Sequence, residues 1–173
     1  PSSALLSWMW QSWKLGLTGL LYWEAAFWNS SAKAYPDPSE LQNPWNDPMF
    51  WLDSGFLKKG DRIPFRNGDG TLVYPPKSSE GYPAPTPLLK PPVASLRLEA
   101  LRRGLSDYEL LSMLEQSAQA LPPGHSLRLR AHPLLDEIRT IFPSGIQWPR
   151  DPAQIDRLRS QVLQVLDEIL KEL

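Results

Sequence analysis

Cysteine is absent from this 173-residue chain, and histidine occurs only twice, at His125 and His132. The lack of cysteine excludes disulfide bonds and thiolate metal sites. Two histidines cannot by themselves supply an ordinary zinc site. The sequence therefore predicts no metal and no cofactor.

Clustered positive charge and long apolar runs are also missing. The net charge is -1, so nothing in the charge balance favours nucleic acid or an anionic membrane as a partner. No apolar run approaches the roughly 20 residues of a membrane span, and no basic-then-apolar leader is present. We therefore expect neither a nucleic-acid partner nor a membrane partner.

Tryptophan and proline are abundant instead. Six of the eight tryptophans lie in the first 45 residues, and most of the 19 prolines lie between residues 35 and 92. Proline at this density excludes long regular elements from the middle of the chain. The apolar content of 42% is enough for one core.

The N-terminal pattern predicts an αβ unit. Residues 2–15 read as an amphipathic helix that ends at Gly16, a residue suited to the left-handed C′ position. Residues 18–23 then form a short apolar run, typical of a buried strand. Aromatic rings, a carboxylate and an amide follow directly, as at the C-terminal face of a parallel α/β barrel. Helix, tight turn and strand together indicate a parallel sheet.

The middle of the chain predicts long loops around one further strand. Residues 24–66 read as an irregular excursion interrupted by proline. The turn sequence Asn67-Gly68-Asp69-Gly70 precedes a strand at residues 71–74, and residues 77–92 form a second proline-rich loop.

The second half predicts helices. One helix covers residues 94–103 and is closed by Gly104, and a capping box at residues 106–109 starts another that runs to residue 118 or 120. A helix at 132–141 follows, with both histidines assigned to polar connections. Asp151 caps the last helix, with proline at its first position. Its apolar stripe is Ile155, Leu158, Val162, Val165, Leu166, Ile169 and Leu173.

Two strands cannot make a stable parallel sheet alone. Together with the start at Pro1 rather than Met, this favours the C-terminal end of a larger α/β protein over a different small fold.

Three motifs resemble a known family in the expected order. WKLGLTGLLYW, GDGTLVYP and PVASLRLEALRRGLSDYELLSML are similar to the C-terminal part of the domain of unknown function 4091, found in glycoside hydrolase family 123. The matching pieces are residues 19–23, 68–75 and 95–109. The family's glycine after Tyr-Pro is Pro76 here, and its aspartate before the helix glycine is Arg103.

The resemblance implies an α/β fold, the C-terminal portion of a (β/α)8 TIM-type barrel comprising its last two βα units. Residues 1–120 are then barrel, and residues 121–173 a C-terminal helical extension. The implied activity is retaining, substrate-assisted removal of N-acetylhexosamine, typically N-acetylgalactosamine, from glycans, an exception to the two-carboxylate scheme. The partners implied are that glycan and the remainder of the barrel, in an extracytoplasmic setting.

The family's catalytic Asp-Glu pair is not assigned to this chain. The only Asp-Glu dipeptides are residues 136–137 and 167–168, and both fall in helical patterns. We therefore expect a fragment that is inactive alone. A non-catalytic carbohydrate-binding or interaction module is the alternative.

Candidate substrate-binding residues follow the two predicted strands, where barrel enzymes place their sites. Aromatic rings can stack on sugars or fill a core, Glu24 can bind hydroxyls or form a salt bridge, and Trp45 can close over a ligand or pin its loop. Asp69 is expected to serve its turn and Arg97 to form an ion pair. The predicted substrate-binding residues are Tyr22, Trp23, Glu24, Trp28, Asn29, Trp45 and Tyr74.

Overall fold

The computed structural model describes residues 2–27, 44–45, 47–53, 62–76, 91–144 and 147–172. The chain divides into two compact units. A helical unit comprises Pro1–Leu20 and Glu99–Leu173, and an aromatic unit comprises Leu21–Leu98. No helix of the described ranges is long and apolar enough to cross a membrane.

Four helices make up the helical unit's described structure: α1 (Ser2–Lys14), α2 (Leu96–Ala120, its first turn in the aromatic unit), α3 (Ser126–Ile141) and α4 (Pro152–Leu170). The predictions for α1 and α4 are confirmed. Asp151 accepts a 3.0 Å hydrogen bond from the Ala153 amide, with Pro152 as the first helical residue. The stripe of α4 is buried from Ile155 to Ile169, and Leu173 lies outside the described residues.

Helix α2 runs without a break through Gly104, so the prediction of two helices is wrong. A Cβ atom at Gly104 would lie 2.7 Å from Met9 Cγ and 3.2 Å from the Leu6 carbonyl oxygen. This glycine therefore allows α1 to approach α2 closely and does not end a helix. The expected capping box is absent as well, because Ser106 donates to the Arg102 carbonyl within the helix, at 3.2 Å.

Gly104→Ala is expected to destabilise the helical unit by about 1 kcal/mol. The gain in helix propensity, about 1 kcal/mol, is outweighed by the overpacking against α1, about 1–3 kcal/mol. Gly124→Ala is the matched control, since nothing lies within 4 Å of a Cβ there. Urea unfolding of both variants measures the difference, and equal stabilities would contradict the close approach.

One carboxylate lies in the middle of the helical core. Asp107 on α2 is buried; its Oδ2 accepts from Trp10 Nε1 at 3.0 Å and its Oδ1 from Arg159 Nε at 2.6 Å. Trp10 belongs to α1 and Arg159 to α4, so one side chain joins three helices. Burying a charge is tolerated only with such pairing and hydrogen bonding.

Helix α3 begins earlier than predicted, at Ser126. His125 is its N-cap, with Nδ1 accepting from the Leu127 amide at 3.3 Å and Nε2 lying 3.0 Å from Glu172. His132 is exposed on the helix itself, which agrees with the predicted helix at 132–141 and shows that the assignment of His132 to a polar connection is wrong.

The described residues of the aromatic unit form two separate two-stranded sheets, both antiparallel. Strand β1 (Met49–Asp53) pairs with β2 (Arg62–Asn67), with a bulge after Phe50, and β3 (Val73–Tyr74) pairs with β4 (Val93–Ala94). The prediction of an α/β fold built as the last two βα units of a (β/α)8 TIM-type barrel is wrong, since the described structure is mostly helical with small antiparallel sheets. Of the two predicted strands, the one at residues 71–74 is found in part, as β3 (Val73–Tyr74).

The first predicted strand, residues 18–23, is neither a strand nor buried. Residues 15–21 are all exposed, and Leu21 is 87% exposed. The apolar run that suggested a strand has no sheet to join in the described chain.

Candidate functional site

The centre of the candidate site is the turn at residues 68–70, to which residues 25–27 pair. The Phe27 amide donates to the Gly70 carbonyl at 2.8 Å, and the Leu72 amide to the Ala25 carbonyl at 2.8 Å. Gly68 and Gly70 have φ values of +74° and +73°, in the left-handed region that glycine adopts without strain. The turn predicted from Asn67-Gly68-Asp69-Gly70 is therefore present. The residues after Trp23 pair antiparallel with the end of this turn, where Ala26 forms a β-bridge with Thr71.

Three rings pack on one side of this turn and are named here the Trp23 cluster: Trp23, Phe27 and Phe50. Their centroids lie 5.1 to 5.7 Å apart, within the range of favourable aromatic pairs. A Cβ atom at Gly70 would lie 2.8 Å from Trp23 Cζ2, so the indole packs directly on the turn. Trp23 is nevertheless 49% exposed. The cluster thus presents a fixed ring to solvent.

Carboxylates lie beside the cluster. Asp47 and Asp69 line a very small crevice, of about 10 Å³, together with Phe27, Phe50 and Thr71. Asp47 Oδ1 accepts from the Met49 amide at 3.1 Å, which fixes the carboxylate. An exposed aromatic ring with carboxylates nearby suits a polyhydroxylated ligand with an apolar face.

A second aromatic pair, Trp45 and Tyr74, is linked to the turn through Arg97. The rings of Trp45 and Tyr74 are 4.8 Å apart, and Trp45 Nε1 donates to the Pro75 carbonyl at 3.0 Å. Arg97 donates to the Tyr74 hydroxyl at 3.1 Å and to the Thr71 carbonyl at 2.9 and 3.2 Å. These contacts attach the loop that carries Trp45 to the end of β3, which is one of the two roles the sequence left open for Trp45. They also correct the expectation for Arg97, whose partners are neutral oxygens.

Arg97→Ala is expected to destabilise the aromatic unit by about 1–3 kcal/mol, because it removes charge-assisted hydrogen bonds to Thr71 and Tyr74. The guanidinium also packs on Gly68, where a Cβ atom would lie 2.2 Å from Arg97 Cζ. Hydrogen exchange of the amides at residues 71–74 measures the loss. Arg102→Ala is the control, since Arg102 is exposed and pairs with Glu99 on the helix surface. Equal protection in both variants would contradict the role of Arg97.

The other predicted site residues are placed as follows. Tyr22 is half-buried, and Glu24 Oε1 accepts from the amides of Ala25 and Ala26 at 3.1 and 3.3 Å. Glu24 therefore serves its own turn with that oxygen. Trp28 and Asn29 lie outside the described residues.

Sequence reasoning missed Phe27, Phe50 and Asp47 as members of the site. Their only common signal is proximity in sequence to Trp23 and Trp45. The pairing of residues 25–27 with residues 70–73 brings Phe27 into the site, and no local pattern announces it.

Neither Asp-Glu dipeptide is arranged for catalysis. Asp136 pairs with Arg139 at 3.0 Å, and Glu137 with Arg157 at 2.9 Å. Asp167 pairs with Lys171 at 2.5 Å, and Glu168 pairs with Arg130. Hydrogen bonds from Arg130 and then Gln164 lower the pKa of Glu168, which opposes a role as general acid. All four carboxylates belong to ion pairs on helices.

Among the side chains that the structure describes, no three of His, Asp or Glu converge as metal ligands would. Comparison with protein-family models, with curated proteins and with solved structures finds no match to this chain.

Proposed function

We propose that this chain supplies the aromatic glycan-binding surface of a glycoside hydrolase acting on N-acetylhexosamine-containing glycans, with the catalytic Asp-Glu pair outside the chain. The proposal starts from the three motifs similar to glycoside hydrolase family 123. Its chemistry is substrate-assisted, with the sugar's own acetamido oxygen as nucleophile.

The observation that carries the proposal is the half-exposed indole of Trp23, fixed by Phe27 and Phe50 and packed on Gly70. A fixed ring loses little conformational entropy when a ligand stacks on it. The apolar C–H face of a sugar, or the methyl group of an acetamide, is the natural complement of such a ring. Asp47 and Asp69 line a crevice together with Phe27 and Phe50, the two rings that pack against Trp23.

Binding without cleavage is the activity expected of the chain alone. The carboxylates of both Asp-Glu dipeptides are held in ion pairs. Glycosidic bond cleavage needs a carboxyl group that can donate a proton to the leaving oxygen. In this proposal the chain holds the sugar and another part of the enzyme supplies the acid.

A non-catalytic carbohydrate-binding module is the second candidate. It is favoured by the absence of a parallel barrel from the described residues and uses the same Trp23 cluster. The two candidates differ in whether the chain joins a polypeptide that carries the catalytic pair. The coding sequence upstream of Pro1 separates them: a strand ending in Asp-Glu supports the hydrolase, and its absence supports the module.

Titration with N-acetylgalactosamine, followed by tryptophan fluorescence, tests the proposal. We expect saturable binding, weaker binding of galactose, and no release of nitrophenol from a nitrophenyl N-acetylgalactosaminide. No response to either sugar would overturn glycan binding. Hydrolysis by the chain alone would overturn the external position of the catalytic pair.

A further inference from the structure

A pocket of about 360 Å³ lies between α2 and α3, and all of its lining residues belong to the helical unit. Ligand pockets in proteins range upward from about 300 Å³, so this volume suits a small molecule. Most of the side chains that line it are charged. This feature, named here the α2–α3 pocket, is lined by Glu115 of α2 and by Arg128, His132, Leu135, Asp136 and Arg139 of α3.

The two ends of the α2–α3 pocket differ in charge. At one end Arg139 donates to Glu115 at 2.5 Å and to Asp136 at 3.0 Å. One guanidinium between two carboxylates leaves that end with one uncompensated negative charge. At the other end Arg128 has no carboxylate partner within the described chain, which leaves one positive charge. Arg128 and Asp136 are eight residues apart on α3, about 12 Å along the helix axis. The pocket is therefore bipolar along its length.

Both charged ends are held in place by neighbouring helices. The Arg139 guanidinium lies over the ring of Trp13 on α1, with Cζ 4.8 Å from the ring centroid. Arg128 Nη1 donates to the Leu121 carbonyl at 2.7 Å, just beyond the C-terminal end of α2. Charged groups that are already fixed lose little conformational entropy when a ligand binds to them.

The pocket also contains polar groups without partners. Within the part of the chain that the structure describes, Nε and Nη2 of Arg128 make no hydrogen bond, and neither do the side chains of His132 and Gln119, which also lines the pocket. Leu135 is buried and lies between Arg128 and Arg139 along α3, so part of the wall between the two ends is apolar. The positive end can therefore donate hydrogen bonds, and the wall beyond it can contact an aliphatic chain.

We propose that the α2–α3 pocket binds a small zwitterion whose carboxylate and ammonium groups are joined by a short aliphatic chain. The carboxylate accepts from Nε and Nη2 of Arg128, the two-point geometry that a guanidinium favours. The ammonium lies beside Glu115 and Asp136, and the aliphatic chain covers Leu135. Because the charged ends are far apart, a ligand that contacts both needs a spacer between its charges. This site is independent of glycan binding.

An NMR titration with 6-aminohexanoate, followed on the ring signals of His132 at constant pH and ionic strength, tests the site. We expect a saturable shift of the His132 signals, with those of His125, which does not line the pocket, unchanged. Hexanoate and hexylamine each lack one charged end, so each is expected to bind at least about fivefold more weakly. No saturable shift of His132, an equal shift of His125, or equally tight binding of either single-charge compound would overturn the proposal.

Two variants test the two ends of the pocket separately. Arg128→Gln and Asp136→Asn each remove one charge, and each is expected to weaken binding of 6-aminohexanoate at least about fivefold. Arg128→Gln also removes the bond to the Leu121 carbonyl, whereas Asp136 is exposed and its substitution leaves the fold intact. Arg150→Gln is the matched control, because Arg150 is exposed and lies outside the pocket lining. Binding that is unchanged in Asp136→Asn, or weakened equally in Arg150→Gln, would overturn the proposal.

Discussion

Asp107→Ala is expected to lower the free energy of unfolding of the helical unit by about 2–4 kcal/mol. The substitution leaves the Trp10 indole N–H and the Arg159 guanidinium without their acceptor. Breaking a fully buried pair costs about 3–5 kcal/mol, and the figure here is smaller because Arg159 is about a third exposed. Urea unfolding followed by far-UV circular dichroism measures the change. Asp107→Asn keeps one acceptor oxygen, so its free energy of unfolding is expected to lie between those of the wild type and the alanine variant.

Asp156→Ala is the matched control for Asp107→Ala. Asp156 pairs with Arg103, but both side chains are exposed. Removing an exposed ion pair costs about 0–1 kcal/mol. If the two alanine variants were equally stable, the Asp107 contacts would not be what joins α1, α2 and α4.

Trp23→Ala is expected to weaken binding of N-acetylgalactosamine by at least about tenfold, since a central exposed aromatic residue is the kind that dominates binding energy. Trp23→Phe retains a smaller aromatic ring, so its affinity for N-acetylgalactosamine is expected to fall less. The titration is read by calorimetry, so that the removed tryptophan does not also remove the signal. Trp8→Ala is the control, because Trp8 is 38% exposed on α1, outside the site.

The Trp23 substitution also removes ring contacts with Phe27 and Phe50, so the fold of the aromatic unit must be checked separately. Protection of the Phe27 amide, which donates to the Gly70 carbonyl, reports on that fold. If Trp23→Ala and Trp8→Ala bound the sugar equally well with this amide protected, Trp23 would not be the binding ring.

The sequence predicted the elements whose signals are local. Helix α4 was predicted from the Asp151 cap, the proline after it and an apolar stripe, and all three are present. Helix α1 was predicted from the spacing of its apolar residues and from Gly16. These signals depend only on neighbours within a few turns, which a single sequence contains.

The errors arose where distant residues decide the structure. Gly104 reads as a helix end, but the close approach of Met9 explains the glycine within a continuous helix. Asp107 reads as part of a capping box, but Trp10 and Arg159 turn it into a buried acceptor. The run at residues 18–23 reads as a buried strand, but a strand is buried only when a sheet covers it. Tertiary contacts of this kind cannot be inferred from local spacing.

The candidate site was predicted in part. Trp23 was selected because rings at a strand end suit sugar binding, and the structure gives it the exposure that such a role needs. Phe27 was missed because the antiparallel pairing around Gly70 brings it to the site, and Asp47 was missed because the pairing of β1 with β2 brings the chain at residues 47–48 to the turn. The prediction placed site residues after the ends of parallel strands, so it could not identify residues that antiparallel pairing brings to the site.

The most direct test of glycan binding at the Trp23 cluster is an NMR titration of the tryptophan indole N–H signals with N-acetylgalactosamine. The indole of Trp23 is half-exposed. The indole of Trp10 is buried and hydrogen-bonded to Asp107, so the Trp10 signal is an internal reference. We predict a saturable shift of the Trp23 indole signal with the Trp10 signal unchanged. A Trp23 signal that does not move at saturating sugar, or that moves only together with Trp10, would contradict a glycan site at the Trp23 cluster.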